Sequence, residues 1–126
     1  MFMVIKMEGF IKSFKYAFQG VLSALKCERN IKIHYIAMIL VIFFGITLKI
    51  SKLEWIICII LFGLIISLEM VNTAIEKIVD MITKEKNNDA KVIKDISAGA
   101  VLILAICSAI IGIVIFFPKV MLFFKF

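Results

Sequence analysis

Three stretches of the chain carry almost no charge: Ile33 to Leu48, Leu53 to Leu68 and Ile96 to Phe117. Each is close to the roughly 20 apolar residues that a helix needs to cross about 30 Å of hydrocarbon. Ahead of them the pattern changes. From Glu8 to Lys26, Phe10, Ile11, Phe14, Ala17, Phe18, Val21, Leu22 and Leu25 recur at the i, i+3, i+4, i+7 spacing of an amphipathic helix. Its other side holds Lys12, Ser13, Lys15, Gln19 and Ser23, so this helix is expected to lie in the headgroup plane. The pattern predicts an all-α integral membrane fold in one domain, 1–126. It comprises a surface helix over about 8–27 and spans over about 31–50, 53–82 and 94–117.

The middle span outlasts its apolar run. No Gly or Pro follows Gly63 before about Ile82, so one helix is expected across both parts. Thirty residues at about 1.5 Å each reach about 45 Å, which is more than the hydrocarbon thickness, so the last turns must protrude. In this second half stand Glu69, Asn72, Glu76 and Asp80, at spacings of 3, 4 and 4 that stack them on one helical face. Charge at membrane depth is costly and is ordinarily paired, buried in a bundle or bound to an ion, so this stripe reads as a functional site. Thr83 to Ala90 forms a polar loop, and Pro118 is expected to end the last helix.

Composition agrees with the pattern: 63% of the 126 residues are hydrophobic and the mean hydropathy is +1.12, against roughly 45 to 50% apolar in a soluble domain. The net charge of +6 is unevenly placed. Lys6, Lys12, Lys15, Lys26, Arg29 and Lys32 precede the first span, and Lys77, Lys84, Lys86, Lys91 and Lys94 lie between the second and third. The other side holds Lys49, Lys52, Lys119 and Lys125, so the N-terminus and the long loop are expected in the cytoplasm and the C-terminus outside. The lysines flank spans with no separate basic-aromatic patch, which disfavours nucleic acid as a partner and favours anionic headgroups. No apolar stretch followed by a small-residue cleavage site marks a removable signal peptide. Cys27, Cys58 and Cys107 are odd in number and widely spaced, which fits packing residues better than a disulfide framework or metal knuckle. A single arginine and abundant isoleucine point to an AT-rich bacterial genome.

At the cytoplasmic boundary these side chains could move a phosphoryl group onto an alcohol dissolved in the bilayer. Such chemistry needs divalent cations to neutralise phosphate, cationic donors, and a base at the hydroxyl. Glu28 and Glu76 are hard oxygen donors suited to Mg²⁺, while Lys94 and Lys12 could meet phosphates as point charges. Glu69, the deepest carboxylate, is the candidate base. No GxxxxGK[ST] or GxGxxG occurs, since the six glycines are far apart, so a nucleotide site would be built otherwise. A structural polar seam between helices and an ion or proton path remain open on this chemistry alone.

The run LEMVNTAIEKIVDMI, followed by AKVIKD and AGAVLI, resembles the small integral-membrane lipid kinases that comprise prokaryotic diacylglycerol kinase and Gram-positive undecaprenol kinase. FIKSFKYAFQG in the surface helix and the ERNIKIH junction extend the likeness over essentially the whole chain. The resemblance implies a homotrimer in the bacterial cytoplasmic membrane, with active sites shared between neighbours, that transfers phosphate from ATP to a lipid alcohol. It implies Glu69 as base, Glu28 and Glu76 as ligands of the Mg²⁺ that accompanies ATP, and Asn72 as an orienting partner. Lys94, Asp95, Tyr16, Glu85 and Lys12 would join Glu28 and Glu76 at the nucleotide, and Ser97 would join Glu69 at the lipid. ERNIKIH and ISKLEW look more like undecaprenol kinases than diacylglycerol kinases. Gly9 stands where the diacylglycerol kinases carry an arginine, which removes one implied phosphate contact.

Other residues have plainer expectations. Trp55, with Lys49 and Lys52, reads as an interface anchor. His34 is expected to pack or snorkel at the start of the first span, and Asp80 to pair with Lys84 at i+4. The competing class is a small ion or proton channel subunit. It is disfavoured because the acidic residues lie at one end of the spans and no polar residues continue the path across.

Overall fold

The computed structural model describes residues 1–27 and 29–125; for residues 27 and 29 the description is confined to the backbone. The described chain is helical nearly throughout, without strands: α1 (Phe2–Cys27), α2 (Arg29–Thr47), α3 (Lys52–Ile82) and α4 (Asn88–Phe123). The last three are long and apolar enough to cross a membrane. Their outward faces remain apolar, as with Ile59, Ile103 and Val114, each about two-thirds exposed, because lipid takes the place that water would have around a soluble bundle.

Helix α1 begins six residues earlier than its amphipathic pattern. Phe2 lies under the Lys6 ammonium, 5.4 Å from ring centroid to nitrogen, and Phe10 meets Phe14 edge to face at 4.9 Å, so aromatic contacts one turn apart carry the helix outward. It contacts α2 and α3, and among its described side chains burial is confined to the last turns, where Ala24 is buried and Val21 and Leu25 are half-buried. The apolar face with Phe10, Phe14 and Phe18 stays uncovered.

The α2–α3 hairpin is tight because both helix ends are capped. Lys49 takes the left-handed conformation (φ 55°), and the Ile50 amide donates back to the Gly45 carbonyl at 3.1 Å, closing α2 as a Schellman-type turn with lysine in the place glycine usually fills. Ser51 and Glu54 then form a reciprocal capping box: Ser51 Oγ accepts from the Glu54 amide at 3.2 Å, and Glu54 Oε1 accepts from the Ser51 amide at 2.9 Å. Trp55, expected as an interface anchor, also packs inward. It is half-buried, and it packs with Ile50, Cys58 and Ile115 against Gly45. A Cβ at position 45 would come within 2.6 Å of the Trp55 ring. Gly45→Ala should therefore cost about 1–3 kcal/mol as the indole is displaced, read as a lowered midpoint in an SDS unfolding titration.

Helix α4 is longer than its apolar run at both ends. Asn87 caps it, with Oδ1 accepting from the amides of Asp89 (2.8 Å) and Ala90 (3.3 Å), so the helix starts inside the segment expected as loop. Pro118 does not end it; the helix continues to Phe123. The proline forfeits one ladder hydrogen bond, yet Lys119 reaches the Glu54 carboxylate at 3.0 Å and fastens the turns beyond it to the start of α3.

Candidate active site on the polar face of α3

The 3, 4, 4 spacing puts the stripe where the fold needs it, on the side of α3 turned toward α2 and α4. Glu69, Asn72 and Thr73 are buried, Glu76 is half-buried and Asp80 is exposed, so the face grades from dry to wet along about 16 Å of helix. Thr73 Oγ1 donates to the Glu69 carbonyl one turn back at 3.0 Å, which occupies its hydroxyl within the helix. Asn72 Nδ2 donates to Glu76 Oε1 at 3.4 Å, while Asn72 Oδ1 is buried with no partner among the described residues. A buried amide oxygen left unpaired is uncommon, and in this position it is a free acceptor beside a carboxylate.

The deepest carboxylate is not alone. His34 Nε2, on α2, lies 3.1 Å from Glu69 Oε1, and the two side chains are 19% and 4% exposed. The packing or snorkelling role expected for His34 therefore gives way to a hydrogen bond with the candidate base. No local pattern foretells it, because the partners are 35 residues apart and meet only once α2 lies against α3.

A second cluster lies where α3 leaves the bundle. Lys94 Nζ, on α4, meets Asp80 Oδ1 at 2.5 Å, in place of the Asp80–Lys84 pair expected at i+4, because α3 ends at Ile82 before reaching Lys84. Asp95 is held by Lys91 at 2.6 Å, one turn back on its own helix. Asp80, Glu85, Lys94 and Asp95 line an open cleft of about 850 Å³ beside the α3–α4 connection, with lysines 84, 86 and 91 around it. Both signs of charge on a water-facing cleft are compatible with a nucleotide phosphate chain and its cation.

The remaining candidates lie on other elements of the chain. Ser97 is buried on α4, in register with Val101. Lys12 and Tyr16 stand one turn apart on exposed α1 and make no hydrogen bond or ion pair among the described residues. Glu28 lies outside the described residues. Without it, no group of three His, Cys, Asp or Glu side chains among the described residues could hold a metal.

The sequence profile of the prokaryotic diacylglycerol kinases matches residues 15–116, which takes in the end of α1, all of α2 and α3, and most of α4. The chain belongs to the prokaryotic diacylglycerol kinase family. It is 42% identical over 114 residues to the undecaprenol kinase of Bacillus subtilis (strain 168), a match covering 90% of this chain and 93% of that protein. It is 34% identical over 110 residues to the diacylglycerol kinase of Synechocystis sp. (strain PCC 6803), covering 86% of this chain and 63% of that longer protein. The protein is a multi-pass membrane lipid kinase that uses ATP, and the channel alternative falls away.

Proposed function

We propose that this lipid kinase phosphorylates undecaprenol to undecaprenyl phosphate at the cytoplasmic face of a bacterial membrane. The observation that carries the reading is the graded face of α3, which ranges from buried Glu69 beside an apolar interior to the charged Asp80–Lys94 cleft in water. An oily alcohol and a soluble nucleotide need such a gradient, since one arrives from the bilayer and the other from solution. The match to the Bacillus enzyme over nine-tenths of both chains supports undecaprenol as the acceptor. The family profile and the cyanobacterial relative support diacylglycerol as the second reading.

In this mechanism the Glu69 carboxylate takes the acceptor's hydroxyl proton as the oxygen bonds to the γ-phosphorus, and the bond from that phosphorus to the bridging oxygen breaks to release ADP. Asn72 orients Glu76 through the 3.4 Å hydrogen bond, and its unpaired Oδ1 is available to substrate. Glu76 suits Mg²⁺, which takes one or two protein carboxylates and fills the rest of its shell with water and phosphate oxygens; Glu28 would be the second. Bound there, Mg²⁺ would neutralise phosphate charge. Lys94, Asp95 and Glu85 would meet the nucleotide in the cleft, and Ser97 with Glu69 would contact the lipid. Lys12 and Tyr16 stand on the exposed stretch of α1, ahead of the turns that pack on α2 and α3, which supports a homotrimer in which α1 serves a neighbouring site. The excess of basic residues before the first span and between the second and third, where Lys77, Lys84, Lys86, Lys91 and Lys94 lie, supports the cytoplasmic placement of the N-terminus and the long loop, with the C-terminus outside.

The test is competition. Purified protein in detergent micelles is supplied with Mg²⁺, γ-labelled ATP, undecaprenol and diacylglycerol at equal mole fractions. Label is expected mainly in undecaprenyl phosphate. Phosphatidic acid in excess would transfer the assignment to diacylglycerol, and label in neither would remove both.

A further inference from the structure

The bond between His34 and Glu69 has a setting that a packing histidine does not need. Among the described residues it is the one side-chain hydrogen bond joining α2 to α3. His34 also lines an apolar cavity of about 370 Å³ between α2, α3 and α4, whose walls include Ala37, Leu61, Ile65, Ala105 and Ala109. The imidazole thus has the carboxylate on one side and hydrocarbon-lined space on the other. In such surroundings a lost hydrogen bond is not readily replaced by water, so the orientation of the carboxylate depends on its protein partner.

We propose that His34 is a positioning residue for the transfer reaction: its Nε2–H donates to Glu69 Oε1, fixes the plane of the carboxylate, and leaves Oε2 to take the proton of an alcohol whose apolar chain lies along the cavity. The proposal rests on Glu69 acting as the base. It adds a third member to that assignment, in the way that general bases elsewhere are themselves oriented by a neighbouring group. The proton passes from the acceptor oxygen to Glu69 Oε2 while the O–P bond forms and ADP departs; His34 gains and loses nothing. The bond also ties the base to α2, so the base and the cavity wall move together.

The contact through Nε2 predicts a pattern among substitutions that a structural role would not produce. Glutamine carries its amide nitrogen about where the imidazole Nε2 lies, asparagine stops one bond short, and leucine keeps volume without a donor. His34→Gln should keep kcat within about fivefold of the wild type, whereas His34→Asn and His34→Leu should lose about 10- to 100-fold, the scale of a misplaced catalytic group, with KM for ATP unchanged. In the Glu69→Gln background, His34→Leu should cost nothing further, because a residue acting through Glu69 has nothing left to orient. Retention of kcat by His34→Leu would overturn the inference, as would equal losses in the Gln and Leu variants, or losses that add across the double variant. Should the leucine variant fail to fold, the glutamine and asparagine pair gives the same discrimination. Activity surviving in Glu69→Gln alone would instead remove the assignment of the base, so the two failures are distinguishable.

Discussion

Replacing Glu69 by glutamine is expected to lower kcat by about 10²- to 10⁴-fold, the contribution typical of a positioned general base. The amide matches the carboxylate in shape and can still accept the hydrogen bond from His34 through its oxygen, so the α2–α3 contact survives and the loss is chemical. The side chain is 4% exposed, which leaves water little access to act as a replacement base. The measurement is the initial rate of lipid phosphate formation at saturating ATP and acceptor, with an SDS unfolding curve for each protein. An unfolding midpoint equal to that of the wild type with the rate lost is the expected pair of results. An undiminished rate would remove Glu69 from the reaction and return the buried His34–Glu69 contact to a purely structural role.

The second large effect is expected at Glu76. Glu76→Gln should reduce kcat/KM for MgATP by about 10²- to 10³-fold, since charge neutralisation at the triphosphate supplies several kcal/mol of transition-state stabilisation. Saturation should also require more divalent cation. The variant keeps an oxygen for Asn72 Nδ2 and half-buried packing, so α3 should be undisturbed. Paramagnetic Mn²⁺ titrated in the presence of a non-hydrolysable ATP analogue gives a readout independent of turnover. Bound metal should fall in Glu76→Gln and persist in Glu69→Gln. Equal metal binding in both would detach Glu76 from the cation and leave it as the partner of Asn72 alone.

These two residues differ in how much of their role could be read before folding. Glu76 and Glu69 share a face by spacing alone, and the long run of α3 to Ile82 follows from the absence of any breaker after Gly63. The membrane class, the three spans and the amphipathic α1 were equally legible, because periodicity and apolar length are local properties of a helix. The misread features all depended on a neighbour. Pro118 breaks an isolated helix more readily than one whose next residue is tethered to Glu54. Asp80 would meet Lys84 only if the helix ran on past it, but α3 stops at Ile82 and α4 brings Lys94 to the carboxylate instead. The contact of Trp55 with Gly45 was likewise invisible until the α2–α3 hairpin closed.

By itself, then, the order of residues determined that this chain is a bundle of membrane helices with acidic groups stacked at one end, since helix geometry converts spacing directly into faces. Which side chain meets which across the bundle was decided only by the tertiary structure. The His34–Glu69 and Asp80–Lys94 contacts depend on the rotation and axial shift of one helix against another. Those two quantities are set by packing along the whole interface between helices, and no local pattern encodes them.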